Sequence, residues 1–187
     1  MNIVAIVQAR MGSTRLPGKV MMEINSTPMI GLLFKRLAES QKITRIILAT
    51  SIDPNNDPLE KYVNGLNYSV FRGDESDVLD RYYRAAKKEN ADVVVRITGD
   101  CPLIDSCLID EVIDGFIKFN VDYASNREPP TYPDGLDVEV ISIKALEEAS
   151  QNAKENFDRE HVTPYIINSK RFSKFYLENP EDLSGER

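Results

Sequence analysis

The sequence predicts an α/β domain whose mostly parallel sheet is covered by helices on both faces. Short apolar runs alternate with stretches of helical periodicity along the chain. Those runs are apolar throughout instead of alternating with polar residues, the pattern of strands buried on both faces. With 187 residues, 42% hydrophobic and 28% charged, the chain suits one domain, 1–187, with a sizeable core.

The elements follow in order. Residues 2–7 (N-I-V-A-I-V) are the first strand, and after Pro28 residues 29–40 carry apolar side chains at helical spacing. Residues 45–50 (R-I-I-L-A-T) are a second buried strand. D-P-N-N-D at 53–57 supplies turn chemistry before a short helix around 59–63. A short strand is expected at 68–71, then a helix over 77–89 capped by Ser76, with acidic residues in its first turn. The run 92–97 (D-V-V-V-R-I) is a third apolar strand and ends in T-G-D-C-P. Over 106–119 a helix capped by Ser106 presents Leu108, Ile109, Val112, Ile113 and Phe116 on one face. Strands at 122–125 and 137–143 flank a proline-rich loop, 128–135, and 172–177 reads as an edge strand before a polar tail.

Charge narrows the function. A net charge of −7 and a pI of about 4.9 argue against a general nucleic-acid or anionic-membrane binder. No signal peptide or membrane-length apolar run is read, so the expected location is cytoplasmic. Cys101 and Cys107 are expected as reduced thiols, and a single histidine disfavours a zinc site of the usual His/Cys type.

Against that acidic balance stands Q-A-R-M-G-S-T-R-L-P-G-K at 8–19, which leaves the first strand as one irregular loop. Arg10, Arg15 and Lys19 bring positive charge, and Ser13 and Thr14 bring uncharged donors. Gly12 and Gly18 allow close backbone approach. A solvated basic surface loop carries similar residues, but few acidic neighbours accompany these. The placement favours a polyphosphate site. Neither the G-K-[ST] of a Walker loop nor the dinucleotide glycine spacing is present. Ligands of parallel sheets bind at the carboxyl ends of the strands, which puts this loop beside Thr50-Ser51, Arg72-Gly73 and Thr98-Gly99-Asp100.

Asp100, at a strand tip beside a phosphate loop, is a natural ligand for Mg²⁺, which takes one or two carboxylates plus phosphate oxygens; a turn-forming aspartate before proline is the plainer account. Arg72 either reaches into the site, or belongs to a strand–helix junction whose Glu75 and Asp77 simply meet the helix dipole. Asp137 and Glu139 share one strand face, where solvation is the default for like charges; bordering the site, they would bind sugar hydroxyls or a cation. His161, near a helix, is by default structural, and Arg159 and Glu160 make an ordinary surface pair.

Six pieces, in order, resemble the cytidylyltransferases that make CMP-activated acidic sugars, above all those of the SpsF type. They are Q-A-R-M-G-S-T-R-L-P-G-K (8–19), A-T-S (49–51), F-R-G-D-E-S-D-V-L-D-R-Y (71–82), R-I-T-G-D-C-P-L-I-D (96–105), D-G-L-D-V-E-V (134–140) and R-E-H-V-T-P-Y (159–165). The resemblance implies the nucleotide-diphospho-sugar transferase fold, a Rossmann-like α/β/α sandwich. It also implies CMP transfer from CTP to a sugar, with Mg²⁺ as cofactor. It assigns the nucleotide to Ala9, Arg10, Gly12, Ser13, Arg15, Lys19 and Arg72, with Arg10, Arg15 and Lys19 stabilising the departing pyrophosphate. Asp100 becomes the metal ligand, and Asp137, Glu139, Arg159 and His161 face the sugar. Residues 122–143 are expected to pair two subunits. A second metal-binding aspartate near the carboxyl end of such enzymes has no counterpart here, so a missing carboxyl-terminal strand–helix portion is expected. Transfer from another nucleoside triphosphate, or a nucleotide-binding module without chemistry, are the alternatives.

Overall fold

The structure, a computed structural model, describes residues 1–13 and 16–186. β1 (Ile3–Gln8) leads through a single 3-10 turn, Lys19–Met21, into a small hairpin of β2 (Glu23–Ile24) and β3 (Thr27–Pro28). α1 (Met29–Leu37), β4 (Arg45–Ser51), α2 (Asp57–Gly65), β5 (Ser69–Gly73), α3 (Val78–Lys88), β6 (Val93–Thr98) and α4 (Ser106–Phe119) alternate after it. The chain then runs through β7 (Tyr123–Ser125), β8 (Glu139–Ser142), α5 (Ile143–Asn152), α6 (Asn156–His161), α7 (Pro164–Asn168) and β9 (Lys174–Tyr176).

Seven strands form one sheet in the order β5-β4-β1-β6-β8-β7-β9. β5, β4, β1 and β6 are parallel neighbours; β8 runs antiparallel between β6 and β7, and β9 pairs parallel to β7 at the edge. The sheet is thus mostly parallel, with one reversed strand. Alternate residues of β1 feed opposite faces, as strand geometry requires. Ile3, Ala5 and Val7 pack with Leu33, Phe34, Leu59 and Val112 on one side. Val4 and Ile6 pack with Leu79, Tyr82, Leu146 and Ile166 on the other. Three layers result, as the apolar runs predicted.

Local chemistry corrects several boundaries. α1 stops at Leu37 and not at 40, because Ser40 Oγ accepts from the Ile43 amide (3.1 Å) and starts a turn. Asp77, not Ser76, caps α3, accepting from the Asp80 amide at 3.0 Å. Asp105, not Ser106, caps α4, accepting from the Leu108 amide at 2.9 Å. The strand expected at 137–143 is only Glu139–Ser142, since Ser142 Oγ accepts from the Ala145 amide (3.1 Å) and opens α5, a helix the sequence reading lacked. Cys101, buried, and Cys107, exposed, are free thiols. Among the described residues, no helix is long and apolar enough to cross a membrane.

Candidate active site

The parallel registers place Gln8 opposite Ala49 on one side and Thr98 on the other, so β1, β4 and β6 end together. The loop leaving β1 is fixed from two directions. The Met11 amide donates to Asn56 Oδ1 (2.8 Å), and Asn56 Nδ2 donates to Ser51 Oγ (2.8 Å), with Asn56 and Ser51 both buried. Gly18, at φ 72°, turns the chain back so that its amide donates to the Met11 carbonyl at 2.8 Å. On the other side the Gly99 amide donates to the Gln8 carbonyl at 2.7 Å. A Cβ on Gly99 would lie 2.6 Å from Ala9 Cβ and 2.8 Å from the Gln8 carbonyl oxygen, so only glycine allows this approach.

These constraints bring Arg10, Ser13, Lys19 and Asp100 around one cleft of about 290 Å³, which Ala9 and Thr98 also line. Its cations are balanced by acids from other elements: Lys19 Nζ lies 2.6 Å from Asp100 Oδ2, and Arg10 Nη1 lies 2.9 Å from Glu75 Oε1. Partial burial opposes ionisation of Asp100, but the hydrogen bond and charge of Lys19 outweigh it and lower the carboxyl pKa. Gly12 borders the same loop, and among the described residues other than its chain neighbours no atom is closer than 3.9 Å to a Cβ built on it. Arg15 lies outside the described residues.

Two clefts adjoin this cradle. Gln8 and Arg10 are shared with a cleft of about 470 Å³ bounded by Ser76, Asp77, Arg81 and Arg159. Arg81 is buried there and donates to the Asp74 carbonyl at 2.6 Å, while its Nε has no partner among the described residues. Thr98 is shared with a second cleft, about 440 Å³, which also takes in Arg96, Arg127, Asp137, Glu139 and His161. One trench therefore crosses the carboxyl edge of the sheet.

Glu139 is buried, where solvation was expected. The β6–β8 register sets it opposite Arg96, to which it is ion-paired; Tyr123 Oη donates to it at 2.7 Å and Arg127 approaches to 3.3 Å. Burial alone would raise its pKa, but the two guanidinium groups hold it below the usual range. Asp137 lies just outside β8 and pairs with Arg127 at 3.2 Å. Arg72 is not brought to the cradle. Its guanidinium donates to the Ser51 carbonyl (3.0 Å), the Asp53 carbonyl (2.7 Å), Asp57 (2.6 Å) and Glu60 (2.7 Å), tying β5 to the start of α2. Arg159 is on the Arg81 side of the trench and not beside His161; it is ion-paired to Asp77 and donates to the Ser150 carbonyl at 2.6 Å.

Residues beyond the sequence reading also line the trench. Arg81 was detectable, because it falls on the apolar stripe of α3 with Val78, Leu79, Tyr82 and Ala85. Asn56 sat in a stretch read only as a turn, and nothing local marked its side chain as the clamp of a loop 45 residues away.

Comparison with known proteins points one way. The profile of a family described as "Cytidylyltransferase" matches residues 4–182. The chain is 46% identical over 187 residues to an uncharacterized protein of Methanocaldococcus jannaschii, spanning all of this chain and 76% of that one. It is 35% identical over 186 residues to the spore coat polysaccharide biosynthesis protein SpsF of Bacillus subtilis, spanning 96% of this chain and 76% of that one. Among solved structures, a cytidylyltransferase from Leptospira borgpetersenii matches with a TM-score of 0.95 at 35% identity, covering 100% of this chain and 80% of that one.

Proposed function

The chain belongs to the cytidylyltransferase family, and from that premise we propose that it transfers CMP from CTP to a sugar hydroxyl along the trench, releasing pyrophosphate. One observation carries the assignment: Arg10, Ser13, Lys19 and Asp100 converge on one cleft with a further cleft on either side. The base sits in the Gln8–Arg81 cleft. There the Arg81 guanidinium, whose burial lowers its pKa without discharging it, faces the ring carbonyl. Gln8 Oε1, which has no partner among the described residues, accepts from the exocyclic amine of cytosine.

The triphosphate lies in the cradle and the sugar in the Arg96–Glu139 cleft. The sugar hydroxyl oxygen forms its bond to the α-phosphorus as the bond to the bridging oxygen breaks, its proton passing to solvent and pyrophosphate departing. Arg10 and Lys19 receive the charge that builds on pyrophosphate, together with Arg15. The loop amide at Gly12 adds a donor that needs no reorganisation, whereas the Ser13 amide is held by the Met11 carbonyl at 3.0 Å and its hydroxyl is the group left to meet phosphate.

Asp100 fits Mg²⁺ as one carboxylate of a phosphate-borne ion. It is half-exposed, ionised and at a strand end, and no group of three metal-ligating side chains occurs among the described residues. When bound, the ion supplies charge neutralisation at the transferring phosphoryl group. Asp137, Glu139 and His161 form the sugar side; Arg159 acts by holding Asp77. Pairing of two subunits through residues 122–143 belongs to the same proposal and is read by the mass in solution.

The test is pyrophosphate release from CTP, UTP, GTP and ATP across a panel of sugars, beside thermal shifts with each nucleotide. Bound ligand raises stability by RT ln(1 + [L]/Kd). CTP is expected to lead both. Preference for another nucleotide overturns the base assignment, and nucleotide binding without release from any sugar overturns the transfer.

A further inference from the structure

α6 separates the two outer clefts. Asn156, Arg159 and Glu160 line the Gln8–Arg81 side, whereas Phe157 and His161 line the Arg96–Glu139 side. Helical spacing explains the division, since residues three and four apart share a face. None of the six residues of α6 is buried. Phe157 is 62% exposed, and its ring centroid lies 4.4 Å from that of His161 at an interplanar angle of 59°.

The end of α6 is equally pointed. Val162 is fully buried with φ 74° and ψ −56°, and the Thr163 amide donates to the His161 carbonyl at 2.9 Å. This is a γ-turn of the rare positive-φ kind, strained for any residue and more so for a β-branched one. Such strain persists only where the surroundings over-determine it, and it concentrates at ligand sites. Here it reverses the chain so that His161 and Thr163 both line the cleft whose rim is Phe157.

A lone exposed phenylalanine is ordinary on a protein surface. This one stands at the mouth of a polar cleft, packed on a histidine and followed by a strained turn. The negative face of an aromatic ring attracts C–H bonds, and a pyranose or furanose offers a rigid C–H face that an open-chain polyol lacks. We propose that Phe157 is the specificity-determining platform on which the acceptor's ring stacks, so that cyclic sugars are accepted and open-chain polyol phosphates are not. This rests on the assignment of that cleft to the acceptor.

The chain contains no tryptophan, so Phe157→Trp provides a single fluorophore at the rim. Three probes are used: 3-deoxy-manno-octulosonate and glucosamine as cyclic sugars, and ribitol 5-phosphate as the polyol phosphate. They are measured beside whichever sugar supports pyrophosphate release in the wild type. The active sugar is expected to change indole emission saturably. Phe157→Leu is expected to raise the KM for that sugar about tenfold, the size of a good aromatic contact, with the KM for CTP unchanged and with recovery in Phe157→Tyr. An unchanged sugar KM in Phe157→Leu overturns the platform while leaving the transfer reaction standing, as does ribitol 5-phosphate serving as well as any ring sugar. Wild-type silence with every acceptor, while CTP still stabilises the protein, overturns the acceptor cleft and the platform with it.

Discussion

Gly99→Ala tests whether the close approach of two strand ends sets the active geometry. The new Cβ would lie 2.6 Å from Ala9 Cβ, 2.8 Å from the Gln8 carbonyl oxygen and 3.2 Å from Ala9 Cα, where ordinary contact begins at 3.4 Å. The ends of β1 and β6 must therefore part by at least 0.4 Å to bring the 2.6 Å approach to 3.0 Å, and by 0.8 Å to restore ordinary contact at 3.4 Å. No flexible side chain can yield instead, because every obstructing atom is backbone or fixed to it. Overpacking of this kind costs about 1–3 kcal/mol. The 2.7 Å bond from the Gly99 amide to Gln8 would stretch as well, adding about 1 kcal/mol. A loss of about 2–4 kcal/mol in urea denaturation is the expected outcome. Asp100 and the Ala9–Arg10 loop separate in the same movement, and a misplacement near 1 Å costs on the order of 100-fold in rate. Gly12→Ala is the stability control, since among the described residues beyond its chain neighbours its Cβ meets nothing nearer than 3.9 Å. Wild-type stability and kcat/KM for CTP in Gly99→Ala would refute the reasoning.

The other expectations are more compact. Glu139→Gln strands Arg96, whose side chain is only 11% exposed, and should cost about 3–5 kcal/mol in urea denaturation, whereas Arg96→Met with Glu139→Leu together should cost less than Glu139→Gln alone. Glu139 has a lowered pKa in the fold, so its contribution is complete above the unfolded value of about 4.3 and disappears as pH falls through the lower folded value. The acid limb of a stability–pH curve should therefore be shallower in Glu139→Gln than in the wild type. Asp100→Asn should lower kcat/KM with Mg²⁺ and CTP by about 10²–10³ while leaving the melting temperature close to that of the wild type. Arg72→Met should lower the melting temperature, because four bonds to β4, the turn and α2 are lost, yet leave the KM for CTP unchanged.

What the sequence disclosed was whatever is local. The fully apolar run 3–7 and the run 93–97, apolar except for Arg96, read as strands, and helical spacing over 106–119 named the buried face of α4 residue by residue. The loop at 8–19 stood out because its charge runs against the rest of the chain. The partners of single charges were not, because strand register and long-range contacts decide them. Glu139 is two residues from Asp137 and looks like it in sequence. Only the pairing of β8 against β6, which sets Glu139 opposite Arg96, makes one carboxylate buried and leaves the other near the rim. In sequence Arg72 reads either way and Arg159 reads as a surface pair, with ligand roles implied by the resemblance alone; in the fold both are held by acids that lie 12 to 82 residues away.

The two outer clefts are built on opposite principles. In one, a buried guanidinium, Arg81, donates among the described residues to backbone carbonyls, those of Asp74 and Glu75. In the other, the largely covered Arg96 is matched by a buried carboxylate that Tyr123 and Arg127 also hold. Neither charge can swing toward solvent, so each wall keeps its polarity whatever occupies the cleft, and preorganised charge of this sort needs no rearrangement when ligand arrives. The cradle between them differs. Lys19 and Arg10 are on partly exposed side chains, paired to acids that are themselves partly exposed. Exchanging those acids for phosphate oxygens costs little, because exposed pairs contribute little. On the proposed assignment of base and sugar to the outer clefts, discrimination between ligands belongs to the fixed walls, and charge exchange during transfer belongs to the adjustable middle.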